Sequence, residues 1–268
     1  MKTMPFYAAN HTVDKTTVIF KSQLMPKIIL PPRAFCLVFL VFYPALSCAE
    51  LHGTLTMTTN NAFRWFSKTH NSVAVQANVD YQHKSGWYLG SSVSNIDFDT
   101  KEHPNSAQVE IIPYLGWSFK LSDQWRLDAQ WSSYLYSGKL FGHSADYNEF
   151  YLFLHYKDLF TGRISFADDF YGLDHYVIDY ELTGRYPVTD SVQFSASFGY
   201  SQSKAALGAD YPYWNMGFTY FYKFVALDLR YMDGTETFID YAAEKKLHKL
   251  YNPSLLNTAI IFSISMGF

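Results

Sequence analysis

The chain has 268 residues with 14 Gly, 10 Pro, 2 Cys and a formal charge of −3, which fits one large domain and excludes disordered, collagenous and disulfide-framework classes. Aromatic residues make up 19% and charged residues only 17%, while a mean hydropathy of −0.11 is far too low for a polytopic helical membrane protein. Residues 50–268 carry 16 basic and 23 acidic side chains, which speaks against nucleic acid as a partner because backbone binding needs a basic groove.

The first element is an apolar run from Ala34 to Leu46, preceded by Lys27 and Arg33 and followed by Ser47-Cys48-Ala49. It is shorter than the about 20 residues that cross a bilayer as a helix. A charged segment, a short apolar core and small residues at the cut site describe a secretory signal peptide over 1–49, with Met25 as an alternative start. Cys48 also permits the lipoprotein reading. Both cysteines precede residue 50, so the processed chain, 50–268, owes no stability to disulfides.

From Leu51 onward the pattern has period 2, the signature of half-buried strands. In Val73–Gln82, Val73, Val75, Ala77, Val79 and Tyr81 share one face and Ala74, Gln76, Asn78, Asp80 and Gln82 the other. The alternation predicts twelve strands: Leu51–Met57, Val73–Gln82, Trp87–Asn95, Val109–Phe119, Trp125–Leu135, Glu149–Tyr156, Arg163–Ala167, Tyr176–Tyr186, Val192–Tyr200, Trp214–Tyr222, Val225–Tyr231 and Thr258–Phe268. Connections alternate between long (58–72, 96–108, 136–148, 168–175, 201–213, 232–257) and tight (83–86, 120–124, 157–162, 187–191, 223–224). The fold class is therefore all-β, a transmembrane up-and-down antiparallel β-barrel with both ends on the short-turn side. Pro113, on the lipid face of the fourth strand, breaks the pattern and calls for a bulge.

Every charged residue within these segments falls on the polar parity: Asp80, Glu110, Arg126, Asp128, Glu149, Arg163, Asp179, Glu181, Arg185, Asp228 and Arg230, with His155 among them. These twelve are the expected pore-lining residues. A water-soluble barrel would also alternate, but with its apolar face inward. Strand-end aromatics such as Trp87, Trp117, Trp125, Tyr156, Tyr186 and Trp214 suit membrane-interface girdles, and about 10 tilted residues span a band of roughly 25 Å. In the last strand Ile260, Phe262, Ile264, Met266 and Phe268 share one face. This resembles the closing strand of bacterial outer-membrane barrels, which implies recognition of Phe262, Ile264, Met266 and Phe268 by the barrel-assembly machinery.

The stretch from Leu55 to Phe98, with Arg64 in a loop, Val75-Gln76, Asp80-Tyr81, His83–Gly86, Tyr88–Gly90 and Ser94–Phe98, resembles the amino-terminal block of the TorF-type porin family (Gcw_chp). Ser165–Gly172 and the closing residues are similar to family segments too. The chain departs from the family at the first loop, where it has Thr59-Asn60-Asn61 and Arg64-Trp65. The resemblance implies an outer-membrane barrel with no established substrate and no catalytic residues.

No P-loop, GxGxxG, HExxH or CxxC pattern occurs, and the histidines lack ligand spacing; no cofactor and no metal is expected. The expected function is an outer-membrane channel in contact with outer-membrane lipids, passing small hydrophilic solutes or ions. Seven lumen acids against four arginines predict a mild cation preference. Small lumen residues such as Gly90, Gly116, Gly199 and Gly217 are expected to leave room for water. One alternative is a plugged structural or adhesive barrel, with the helix-like stretch Phe238–Leu250 folding across the mouth. Another is a lipid-modifying barrel enzyme using Ser165 and His155 on adjacent strands. Nothing specifies an interface, so a homo-oligomer is left open.

Overall fold

The computed structural model describes residues 49–99, 103–234 and 258–268. The expected leader, apart from its last residue Ala49, and the Phe238–Leu250 stretch lie outside the described residues. Twelve strands form the wall: β1 (Ala49–Thr58), β4 (Ala74–His83), β5 (Trp87–Asn95), β6 (Val109–Lys120), β7 (Trp125–Tyr136), β8 (Tyr147–Tyr156), β9 (Phe160–Ala167), β10 (Val177–Pro187), β11 (Val192–Gln202), β12 (Tyr211–Tyr222), β13 (Val225–Gly234) and β14 (Ala259–Gly267). Each pairs antiparallel with its chain neighbour, and β14 returns to β1 to close the barrel. Two further strands, β2 (Ala62–Phe63) and β3 (Phe66–Ser67), make a miniature hairpin apart from the wall.

The period-2 alternation has a direct structural cause, since successive side chains point to opposite faces of a strand. In β8, Phe150, Leu152 and Leu154 face outward while Glu149, Tyr151, Phe153 and His155 are buried inside. The outer surface is a belt of Leu, Val, Ile, Phe and Met. Such a contiguous apolar surface is tolerable only against hydrocarbon. Aromatics frame the belt at the turn end, where Trp125 packs tilted against Tyr156 at 4.9 Å and Trp117 stacks on Phe119 at 5.7 Å, and at the loop end, where Trp214 meets Tyr231 at 5.1 Å.

Closure at the β1–β14 seam uses the last residue. The Phe268 amide donates to Gly53 O at 3.0 Å, and the Gly53 amide donates to Phe268 O at 2.8 Å. The Phe268 ring lies across Gly53, where any side chain would collide with it. Phe262, Ile264, Met266 and Phe268 all face outward.

The proline in β6 is accommodated without the expected bulge. Pro113 pairs in register with Ser91 of β5, and the β6–β7 ladder keeps one register on either side of it, from Ile111↔Leu135 to Tyr114↔Ser132. The rungs between are missing, so the absent N–H costs local pairing and shifts nothing. Pro212, the second residue of β12, stands across from Tyr200 of β11, and among the described residues the β12–β13 ladder begins at Tyr213↔Gly234, so the proline falls at the start of its strand, where it is tolerated.

Under the long loops lies an aromatic cap. Phe98, Phe141 and Phe170 pack edge to face around Tyr171, which tilts against Tyr147, and Tyr147 stacks flat on Tyr134 at 4.4 Å. A short helix, α1 (Lys204–Leu207), closes with Gly208 in the left-handed conformation, the usual helix stop.

Candidate functional site

The lumen is occupied by the protein's own first loop. After β1 the chain turns inward, and Ala62 pairs with Ser67 and Phe63 with Phe66. The two residues between, Arg64 (φ 49) and Trp65 (φ 79), are both left-handed, the geometry of a type I′ hairpin turn. That conformation normally takes Asn-Gly and costs a branched or bulky residue about 1–2 kcal/mol. The strain is offset by burial: Phe63, Trp65 and Phe66 are all enclosed, with Trp65 and Phe66 packed on Tyr211 at 5.8 and 5.5 Å. Asn60 and Ser67 brace the loop base, the Ser67 hydroxyl donating to Asn60 Oδ1 at 2.6 Å.

The loop is latched to the wall by charge. Glu110, Glu149 and Asp179 each stand within the first three residues of a strand that descends from the long-loop side. Arg64 spans two of them: Nη2 pairs with Glu149 and donates to Ser165 Oγ at 2.8 Å, and Nη1 lies 2.8 Å from Asp179 Oδ2. Burial opposes the Arg64 charge, but Asp179 and Glu149 outweigh it and hold the guanidinium well above its ordinary range. Lys68 Nζ donates to both oxygens of Glu110, at 3.0 and 2.7 Å, and lies 4.4 Å from the Phe63 ring centre and 5.2 Å from that of Tyr134. A hydroxyl chain runs from Glu149 to Tyr134, the ring that lies beside Lys68. Tyr151 donates to Glu149 at 2.6 Å and lies 2.5 Å from Tyr134 Oη.

Deeper in the barrel the wall satisfies its own charges. Arg163 donates to Glu181 at 2.9 Å and to Tyr213 Oη at 3.1 Å. Arg230 pairs with Asp228 at 3.0 Å while reaching Asn215 and Ser195. Toward the turns, Tyr88 donates to Asp128 at 2.5 Å, and Asp80 lies 3.4 Å from His52 Nδ1. Arg126 stands directly across from His155 in the β7–β8 ladder. Thr161 Oγ1 links His155 Nδ1 and Arg185 Nη1, each at 3.0 Å. All twelve expected lining residues thus face the lumen, where Asp80, Glu110, Asp128, Glu149, His155, Asp179, Arg185, Asp228 and Arg230 are buried and Arg126, Arg163 and Glu181 half-buried.

Two readings from sequence need correction. The lumen glycines do not leave space for water: Gly90 is covered by the Tyr114 side chain, Gly116 by Tyr88 and Gly199 by Tyr213, and a side chain on Gly217 would run into the β13 backbone. Each of those tyrosines needs the absent Cβ in order to lie flat. Ser165 and His155 are not brought together either: Ser165 lies across from Tyr151 and His155 across from Thr161, four rungs apart in the β8–β9 ladder. The nucleophile and base weighed for a lipid hydrolase are therefore apart.

Arg64, Trp65 and Lys68 were absent from the expected lining set. The available signal was chemical. Three large aromatics and two cations in one short connection, Phe63 to Lys68, fit poorly with a purely solvated loop and match the acid excess of the wall.

Fold and lumen together define a closed, twelve-stranded membrane-type β-barrel with an ionic interior and an inserted first loop. The model of a family described as bacterial protein of unknown function (Gcw_chp) matches residues 44–264, and the chain belongs to that family. Among solved structures, it is similar to one described as KdgM porin in complex with disordered oligogalacturonate, with a TM-score of 0.50 and 9% identity over 82% of this chain and 99% of that one. It is also similar to NanC porin (TM-score 0.48, 11% identity, 82% of this chain and 99% of that one). A third is the COG4313 outer membrane channel from Pseudomonas putida F1 (TM-score 0.46, 9% identity, 81% and 95%). No curated protein matches the chain.

Proposed function

We propose that the protein is an outer-membrane channel for small hydrophilic solutes or ions, narrowed by its first loop. The observation that carries this reading is the inversion of polarity: an apolar belt outside, and inside it a lining rich in hydroxyls, amides and charged wall groups. A barrel built only as a membrane scaffold is better served by an apolar interior, because buried ion pairs add little net stability. Thr54, Gln76, Asn78 and Ser92, on the inner face of β1, β4 and β5, are only half-buried, which supports an accessible interior along those strands. The shared fold with a KdgM porin supports the reading at the level of architecture.

A plugged barrel is the second reading, favoured by the burial of Arg64 and Lys68 to 5% and 1% exposure. Single-channel recording in planar bilayers separates the two. Resolved ohmic steps from the refolded protein are expected. A properly folded barrel that stays silent, even after the loop is released by Arg64→Ala and Lys68→Ala, would overturn the channel.

The latch also revises the selectivity expected from sequence. With Arg64 and Lys68 inside, seven acids face six permanent cations, so the wild-type lumen has only a weak cation preference. Reversal potentials in a potassium chloride gradient are expected to lie near zero for the wild type and to shift toward the cation limit when both loop cations are replaced by alanine. A shift toward the anion limit would contradict this.

A further inference from the structure

The acids nearest the long loops differ from Glu181 and Asp228 in where their counter-ions come from. Arg163–Glu181 and Arg230–Asp228 are paired within the wall, whereas the ion pairs of Glu110, Glu149 and Asp179 are made with the first loop. The wall supplies the rest of each site. Glu149, Ser165 and Asp179 stand on three consecutive strands, with Ser165 directly opposite Asp179 in the β9–β10 ladder, so that two carboxylates and a hydroxyl meet a planar fork of N–H donors. Beside them, Glu110 offers both oxygens to Lys68 Nζ and is itself held by Tyr136 Oη at 3.0 Å, with the Tyr134 ring 5.2 Å from the ammonium. A carboxylate backed by an aromatic face is an ammonium socket.

We propose that these sockets form a binding site for small organic cations, taking a guanidinium between Glu149 and Asp179 and a primary ammonium at Glu110, with Arg64 and Lys68 as tethered occupants. A solute carrying both groups competes with the loop for the same oxygens and replaces it without leaving a buried carboxylate unpaired. The loop is suited to displacement because its Arg64-Trp65 turn is held in a left-handed conformation that relaxes once the latch opens. The inference deepens the channel reading and depends on it only for the route by which solute arrives.

Agmatine, which has a guanidinium at one end and an ammonium at the other, is the probe, and tetramethylammonium, a cation without N–H donors, is the control. In bilayers, agmatine is expected to reduce the current of the Arg64→Ala/Lys68→Ala protein at a concentration at least about tenfold lower than tetramethylammonium, the factor one charge-assisted hydrogen bond supplies. The wild type, with its sockets filled, requires more agmatine than the variant. Adding Glu149→Gln and Glu110→Gln abolishes the difference between the two cations. Heat-modifiable electrophoretic mobility checks that each barrel is folded. Equal block by both cations in a conducting variant overturns the site and leaves the channel standing. Should no variant conduct, tryptophan fluorescence decides: saturable agmatine binding that Glu149→Gln and Glu110→Gln remove upholds the sockets while the channel reading falls, and an absence of saturable binding overturns them.

Discussion

Replacing Arg64 by alanine is expected to undock the first loop and raise single-channel conductance several-fold. Among the described residues it is the guanidinium that bridges Glu149 and Asp179, both fully buried. Removing one partner of a buried pair costs about 3–5 kcal/mol, because the charge left behind is uncompensated. Water reaching the carboxylates relieves that cost, and water reaches them only if the loop moves. The aromatic contacts of Phe63, Trp65 and Phe66 oppose release, at roughly 1.5–3 kcal/mol for each side chain kept buried. Ordering the loop costs about 1–2 kcal/mol for every residue fixed, so these contacts alone do not hold it. Arg64→Lys keeps the charge but loses the fork and is expected to fall between wild type and alanine. Unchanged conductance combined with unchanged urea stability for Arg64→Ala would show that the latch does not hold the loop.

The second large effect concerns the outer face. Leu182 and Leu229 sit mid-strand in β10 and β13 and are 58% and 55% exposed. Leu182→Arg and Leu229→Arg each place a charge near the centre of the hydrocarbon and are expected to cost about 2–4 kcal/mol in bilayer-reconstituted protein. Gln76→Arg, on a half-buried lumen position, is expected to be close to neutral because its head group stays wet. Urea unfolding in lipid measures all three. A reversed order of sensitivity would mean that the wall is inside out.

The wall was legible because each strand has one greasy and one wet face, so period 2 appears in the residues themselves. Misplaced ends have identifiable causes. β9 was expected to begin at Arg163 because Gly162 reads as a turn residue, yet the strand starts at Phe160 and Gly162 lies in the ladder, with open space where a side chain would be. The tight turn is held instead by Lys157, at φ 48. β12 was expected to begin at Trp214, yet it starts at Tyr211 and carries Pro212 as its second residue, a position near a strand end where the missing donor is tolerated. The inserted hairpin was illegible for a different reason. Two-residue strands show no periodicity, and its turn uses Arg64-Trp65 where a glycine would have announced it. The latch depends on groups far apart in sequence, Arg64 with Asp179 and Lys68 with Glu110, which only the closed barrel brings together.

Orientation of the wall is the claim from which the rest descends, and spin labels along β8 test it most directly. Labels introduced singly at positions 149–155, in protein reconstituted in lipid bilayers, report collision with oxygen dissolved in hydrocarbon and with a water-soluble nickel chelate. Strict alternation is expected: oxygen dominates at Phe150, Leu152 and Leu154, and falls at Glu149, Tyr151, Phe153 and His155. Equal oxygen accessibility at all seven positions, or an alternation of opposite phase, would contradict it.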